Sequence, residues 1–406
     1  LTVHPTEVII NIYHITCITI LNRGGFSMKK FVQALFFVSM VLLAFSCSQG
    51  EKPAESKQAE PKIEAAKEGP KAVPAVDTKK AKEKAEYVIR LAYTDAGTWP
   101  AMGNKPLAEH AYGLMFKSIV ESSSNGKIFV ELFPSAEMGQ SKEVLEMVKS
   151  GTLEACIETG AIAGFYPKSQ VINLPYAFKS DEIAWWVFDN SKFWKDLVAD
   201  MEKTTGLLAL GMGQNGTRHF TNSKRPIKTP EDMKGLKFRV MQAPIYVKMV
   251  EALGAKAIPL AHGEIYTSCQ TGVVDGQENP IWNIAANKWY EVQKYMTLDG
   301  HTWSENMLVM NSKFFRSLPK EYQHIVQIAS FHGQWADRVS EGLGSRITDY
   351  ELLAAHMEIY SPTPAELELF KKAVEPVTEW LKGEIGAATV DGFLKAVKEA
   401  EAALGY

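Results

Sequence analysis

Two α/β lobes followed by a helical C-terminus are the fold class that this sequence predicts, and three observations carry the prediction. The chain has 406 residues, 46% of them apolar, more than one hydrophobic core normally organises before a chain splits into two lobes. From residue 87 onward, runs of β-branched and aromatic residues alternate with stretches of helical periodicity, as in the parallel βαβ units of a doubly wound sheet. The alternation restarts near residue 206, after a helical, Trp-rich middle. Composition also excludes other classes. A net charge of −3 gives no basis for a nucleic-acid partner, which calls for a basic domain or stripe. Four Cys cannot supply a disulfide framework for a chain of this length.

The first 86 residues read as targeting sequence and tether. From Met28 the chain runs MKKFVQALFFVSMVLLAFS. Lys29 and Lys30 form a positive n-region, Phe31 to Phe45 an apolar h-region, and Ala44-Phe45-Ser46 a small-residue cleavage site, so 28–46 is a signal peptide. Its apolar stretch falls short of the ~20 residues of a membrane-spanning helix. Residues 1–27 precede it and are expected to be upstream sequence read from a misassigned start. Cys47 follows directly, as a lipobox cysteine does, and is expected to carry acyl chains at the mature N-terminus. Ordinary signal-peptidase cleavage is the alternative. Residues 48–86 hold nine Lys, eight acids, four Pro and no aromatic residue. Such a segment cannot offset its ordering entropy, so 47–86 is expected to be a lipid-attached Cys and disordered linker. The implied location is periplasmic or extracytoplasmic, with membrane contact only through the lipid.

The folded part opens with a strand at Tyr87–Thr94, then a helix over about 106–122, where Leu107, Ala111, Leu114 and Ile119 recur at near-helical spacing. Asn125-Gly126 turns the chain into a strand at 128–133, a helix at about 141–149 follows, and a strand closes at Glu158. Strands are predicted again at 206–211 and 218–222, with the lobe crossover within 205–225. Thr229-Pro230-Glu231-Asp232 supplies an N-cap, a Pro at N1 and first-turn acids. A short strand at 237–241 and a helix at 246–253 come next, and Thr363 to Glu366 forms a capping box for the last helices. The expected division is lobe I at about 87–210, lobe II at about 211–340, and C-terminal helices at about 341–406 packing across both.

Gly211-Met-Gly213-Gln-Asn-Gly216 matches the dinucleotide fingerprint in form. It leads into strand chemistry, however, where a Rossmann site needs a helix, so the glycines are expected to serve a tight inter-lobe passage. No H-E-x-x-H, C-x-x-C, Walker A or G-x-S-x-G pattern occurs, and no metal or cofactor is expected. Cys156 and Cys269 read as buried free thiols. Glu158 ends an apolar strand, where ligands of open α/β sheets bind. His262 reads equally as a half-buried loop residue or a pocket-lining group. Arg218 follows a glycine turn, and Arg239 sits inside an apolar strand, where an unpartnered Arg is rare. Each fits either a structural ion pair or bidentate capture of a ligand carboxylate.

From Asn215 to Met310 the sequence resembles the solute-binding subunits of tripartite ATP-independent periplasmic (TRAP) transporters. The matching segments are Asn215-Gly-Thr-Arg218, Asp232-Met-Lys-Gly-Leu-Lys-Phe-Arg239-Val, Val274-Asp-Gly-Gln-Glu-Asn279-Pro280 and Tyr290-Glu-Val-Gln-Lys-Tyr295. Gly126-Lys-Ile, Phe133-Pro and Leu174-Pro-Tyr extend the likeness over about residues 87–400. The resemblance implies a two-lobed periplasmic-binding-protein-like fold with a hinge. It implies Arg239 as the carboxylate clamp, Arg218 as a second basic group, Asn279 as a hydrogen-bonding pocket residue and Glu158 as a contribution of the first lobe. His262 stands where members often carry Phe or Trp, and Trp99 lies in a long first loop that could line the cleft. The implied function is capture of an organic acid anion, a C4-dicarboxylate first and a sialic or sugar acid second, by a monomer that delivers it to TRAP permease membrane subunits without chemical change. The alternatives are a lipoprotein feeding an ABC importer or a sensor, and a periplasmic lyase using Glu158 and His262 as acid and base.

Overall fold

The structure, a computed structural model, describes residues 78–99 and 104–406. The signal peptide, Cys47 and the upstream segment 1–27 lie outside the described residues, as does most of the linker. The end of that linker is not irregular: Thr78–Lys84 is a helix, α1, anchored by the Lys82–Glu131 ion pair.

Lobe I begins with β1 (Tyr87–Ala92), the two-strand hairpin β2 (Thr98–Trp99) and β3 (Lys105–Pro106), and α2 (Ala108–Ser123). β4 (Ile128–Phe133), α3 (Ser141–Ser150) and β5 (Ala155–Glu158) follow, each within two residues of expectation. Both β4 and β5 pair parallel to β1. The Trp-rich middle forms α4 (Asp181–Asn190) and α5 (Lys192–Thr205).

β6 runs unbroken from Leu207 to Asn222, so the two strands expected here are one. Lobe II then supplies β7 (Lys237–Val240), α6 (Pro244–Ala252), β8 (Lys256–Pro259), α7 (Ile265–Gln270), β9 (Gly276–Pro280) and α8 (Ile281–Ala286). β10, Tyr295–Asn311, is a strand of 17 residues that no sequence pattern predicted. It pairs antiparallel to β6 along nearly its whole length and to β5 at its far end. The sheet order β4-β1-β5-β10-β6-β9-β7-β8 is therefore continuous, with the two long strands crossing between lobes.

After β10 the chain re-enters lobe I, which corrects the expected lobe II boundary near 340. Phe315 of α9 (Ser312–Ser317) and Ile325, Val326 and Ala329 of α10 (Lys320–Leu343) share a core with Ile89, Tyr112 and Phe116. A π turn at Gly344–Thr348 carries α10 into α11 (Asp349–His356), which packs on α8. β11 (Glu358–Tyr360) joins β10. α12 (Pro364–Ile385) starts on the expected Thr363–Glu366 capping box and packs on both α6 and the lobe I segment Pro167–Asn173. α13 (Ala387–Leu404) lies against α4 and α5. The last helices thus touch both lobes.

The glycines of the crossover have a definite use. A Cβ at Gly211 would lie 2.4 Å from the Tyr112 hydroxyl, one at Gly213 2.5 Å from Asp337 Oδ1, and one at Gly216 2.6 Å from Glu341 Oε1. The fingerprint-like spacing makes room for polar side chains of α2 and α10 against β6, not for a pyrophosphate. Cys156 and Cys269 are buried and unpaired.

Candidate functional site

A cleft opens at the C-terminal ends of the parallel strands of both lobes, where open α/β sheets place their ligands. Lobe I supplies Asp95 after β1, Glu109 in the first turn of α2, and Gln140, Ser141 and Thr159. Lobe II supplies Arg218 from β6, Arg239 from β7, His262 after β8, Asn279 from β9 and Asn283 from α8. The space between them is narrow, and part of it is open to solvent. The walls approach closely at the margin, where a Cβ on Gly160 would lie 2.9 Å from Met241 Cε.

The two arginines differ in what holds them. Arg218 is fully engaged: its Nε and Nη2 pair with both oxygens of the buried Glu278, and Nη2 also donates to the Glu278 carbonyl at 2.6 Å. Although burial opposes its charge, Glu278 is held down to about 2 by Arg218 and His301. His301 in turn lies 3.3 Å from Glu278 and 3.0 Å from Asp299, so a buried chain of alternating charge runs behind the cleft wall. Arg239 is only 3% exposed, yet its Nε and Nη2 both donate to one backbone carbonyl, Leu260 O, at 3.0 and 2.8 Å. Among the described residues it has no ion-pair partner. Burial, the dominant effect, lowers it to about 10.

The opposite wall is acidic. The Asp95 backbone N–H donates to Glu109 Oε2 at 2.9 Å, and both side chains are enclosed. Burial raises Asp95 to about 7, and burial together with Asp95 raises Glu109 well above its ordinary value. His262 Nε2 lies 3.3 Å from Asn283 Oδ1 and 3.9 Å from Asp95. Burial and the Arg239 charge lower it to about 4, so it is neutral at physiological pH. Asn279 donates to Gln277 Oε1 at 2.7 Å, which fixes its amide at the cleft edge.

Of the residues singled out in the sequence, Arg239, Arg218, Asn279 and His262 converge on the cleft, and Glu158 and Trp99 do not line it. Successive strand residues point to opposite faces, so where β5 ends Thr159 reaches the cleft and Glu158 turns inward. Burial raises Glu158 to about 8 against the weaker pulls of Ser141 and the Thr159 backbone. The acid–base pair of the lyase alternative is therefore not assembled. Trp99 packs instead in the lobe II core with Ile265 and Trp282, with the Lys105 ammonium 5.7 Å from its ring. A large indole gains more by burial among apolar groups than against polar walls. Sequence reasoning missed Asp95 and Glu109. The signal available was Asp95 directly after β1, at a strand end, but its partner 14 residues away has no local mark.

The family model described as bacterial extracellular solute-binding protein, family 7 (DctP) matches residues 101–383. A solute-binding protein of Verminephrobacter eiseniae is 32% identical over 279 residues, 68% of this chain and 82% of that one. The 2,3-diketo-L-gulonate-binding periplasmic protein YiaO of Escherichia coli is 32% identical over 217 residues, 53% of this chain and 66% of its own. The crystal structure of a sugar acid binding protein from Advenella mimigardefordensis, in complex with galactonate, superposes with a TM-score of 0.71 at 30% identity, covering 77% of this chain and 98% of that one. The two-lobed sheet, the polar cleft at its strand ends and these likenesses agree, and the chain belongs to family 7 of the bacterial extracellular solute-binding proteins, the substrate-binding subunits of TRAP transporters.

Proposed function

We propose that the cleft captures an organic acid with one carboxylate and several hydroxyls, a sugar acid, and delivers it to TRAP membrane permease subunits. The observation that carries this reading is Arg239, a buried guanidinium held by a single backbone carbonyl and met by no carboxylate among the described residues. A ligand carboxylate supplies the missing counter-charge in a site already desolvated. Charge-assisted hydrogen bonds contribute about 1.5–3 kcal/mol each, so two of them with several neutral bonds account for the roughly −8 kcal/mol of micromolar binding. The acidic wall selects among acids. A second carboxylate, as in a C4-dicarboxylate, would be forced against Asp95 and Glu109, whereas hydroxyls can bond to these carboxyls in either protonation state. The sugar acid therefore ranks above the dicarboxylate, and the ligands named for the Escherichia and Advenella relatives, 2,3-diketo-L-gulonate and galactonate, are of that class.

The site acts by binding in this reading: His262 is neutral and hydrogen-bonded to Asn283, and Glu158, its partner in the lyase alternative, does not line the cleft. Family membership favours a TRAP permease over an ABC importer or a sensor. The periplasmic location follows that of the named relatives, and among the described residues no helix is long and apolar enough to cross a membrane. A lipid on Cys47 would hold the protein at the membrane surface. The deciding experiment is calorimetric titration of protein stripped by unfolding and refolding. Galactonate is expected to bind at micromolar Kd and succinate at least tenfold more weakly. Tightest binding by succinate would refute the sugar-acid assignment, and binding by no acid would refute the clamp.

A further inference from the structure

α10 is an inside-out helix. Its polar residues Gln334, Asp337, Arg338 and Glu341 are buried. They accept from the Met212 and Gln214 backbone N–H groups, pair with Asp189 and bond Gln214. Past Val326 its large apolar residues face outward. Ile328, Phe331, Trp335, Val339 and Leu343, continued past the π turn by Ile347 and Tyr350, are each between 39 and 58% exposed. From Phe331 to Tyr350 the only exposed basic or acidic side chains are His332 and Arg346, and Arg346 is bound to Asp181.

From Phe331 to Leu343 the stripe winds about 120° around α10, and the π turn that follows limits further drift. A spacing of four residues advances about 40° around an α-helix per step, so Leu343 would hand on to residues drifting off the face. Each residue of a π turn advances less, and the Gly344–Thr348 turn keeps Ile347 and Tyr350 from drifting further. The stripe then spans about 33 Å at 1.5 Å per residue. Seven large side chains about half exposed present on the order of 600–700 Å² of apolar surface. That is at or above the ~300–600 Å² of the largest patch on a typical monomer, and near the ~800 Å² per partner of a standard interface.

The spacing identifies the occupant. Counted from Val339, the exposed residues stand at −11, −8, −4, 0, +4, +8 and +11, a palindrome. An antiparallel copy of the same helix, related by a two-fold axis at Val339, sets Trp335 against Leu343, Phe331 against Ile347 and Ile328 against Tyr350. Each contact off the axis then joins an aromatic to an aliphatic side chain. This is the self-complementarity of an isologous interface. A lipid surface fits less well, since interfacial helices are rich in Lys and Arg, and no Lys occurs between Lys320 and Lys371. We propose that two copies of this protein pair antiparallel through the exposed α10–α11 face, in place of the monomer expected from the sequence.

Sedimentation velocity tests this on the full chain carrying Cys47→Ser, so that no acyl group drives association. A dimer is expected at 50 µM. Val339→Glu sets two like charges on the axis and should weaken association at least 30-fold, with galactonate affinity unchanged and the monomer still folded. Under mild oxidation Val339→Cys should cross-link two copies, and Ile328→Cys should not, because antiparallel pairing holds the two positions 328 far apart. A wild-type chain monomeric at 100 µM would overturn the proposal, as would a dimer that survives Val339→Glu or one cross-linked through position 328. So would a monomer whose retention by the membrane subunits is lost in Val339→Glu, which would assign the face to the permease.

Discussion

Replacing each cleft arginine by methionine should separate a structural ion pair from a ligand clamp. Burial lowers Arg239 to about 10, so holding its charge costs the free protein about 3 kcal/mol at 1.36 kcal/mol per unit. Arg239→Met removes that cost but strips Leu260 O of both its side-chain donors, a loss of about 1–3 kcal/mol for a buried acceptor. The two nearly cancel, and the stability of the ligand-free protein should stay within about 2 kcal/mol of wild type. Arg218→Met instead leaves Glu278 charged and buried, which costs about 3–5 kcal/mol. Affinity should follow the opposite order. Arg239→Met removes the counter-charge of the ligand carboxylate and should weaken binding by at least about 4 kcal/mol, roughly a thousandfold. Arg239→Lys, which keeps the charge without the planar fork, should lose about 2–4 kcal/mol. Urea unfolding of stripped protein gives the first quantity and calorimetric titration with galactonate the second. An Arg239→Met protein that loses more than about 3 kcal/mol of stability while binding galactonate normally would show that the residue is structural, and the reasoning would fail.

Four further outcomes are expected. Burial raises Asp95, Glu305 and Asp337 to about 7 and Glu341 to about 8; groups raised in the fold stabilise it fully below their unfolded values near pH 4 and lose that contribution as pH rises through 7–8. The ligand-free protein should therefore melt highest near pH 5 and progressively lower toward pH 8 in a thermal series, whereas below about pH 4 protonation of Glu278, held down to about 2, should reverse the trend. Asp95→Asn with Glu109→Gln should raise succinate affinity at least tenfold in titration, an unchanged value arguing that the acidic wall does not select the ligand. Gly213→Ala would drive a Cβ to 2.5 Å from Asp337 Oδ1 and should cost about 2–3 kcal/mol in urea unfolding, whereas Gly383→Ala, with open space around its Cβ, should stabilise α12 by about 0.5–1 kcal/mol. Cys47→Ser should move the protein from the membrane fraction to the soluble periplasmic fraction, and intact-mass data showing no acyl group on the wild type would refute the anchor.

Elements built from local pattern were legible. β1, α2, β4, α3 and β5 appear within about two residues of their predicted ends, because periods of two and of about four residues record which side chains face a core. The capping box at Thr363 is likewise a contact between residues three apart. β10 was invisible for the complementary reason. Over His301–Asn306 it buries mainly polar side chains, satisfied by Asn173, Asn215, Asp299 and Asp337, so no apolar alternation marks it as a strand.

The sequence by itself determined the α/β class, the crossover region and four of the cleft residues, since strand-end positions and family motifs are written in adjacent letters. Residue chemistry left each of Arg218 and Arg239 open to either role, as a guanidinium in an apolar strand can meet a carboxylate of the protein or of a ligand, and only the family resemblance set Arg239 apart. Only the tertiary structure sets Glu278, 60 residues along the chain, against Arg218 and, among the described residues, no carboxylate against Arg239. It also brought Asp95 to Glu109 and turned the polar face of α10 inward onto glycines of β6. Pairing between distant segments depends on which elements pack together, and a buried charge takes its meaning from the partner that packing supplies.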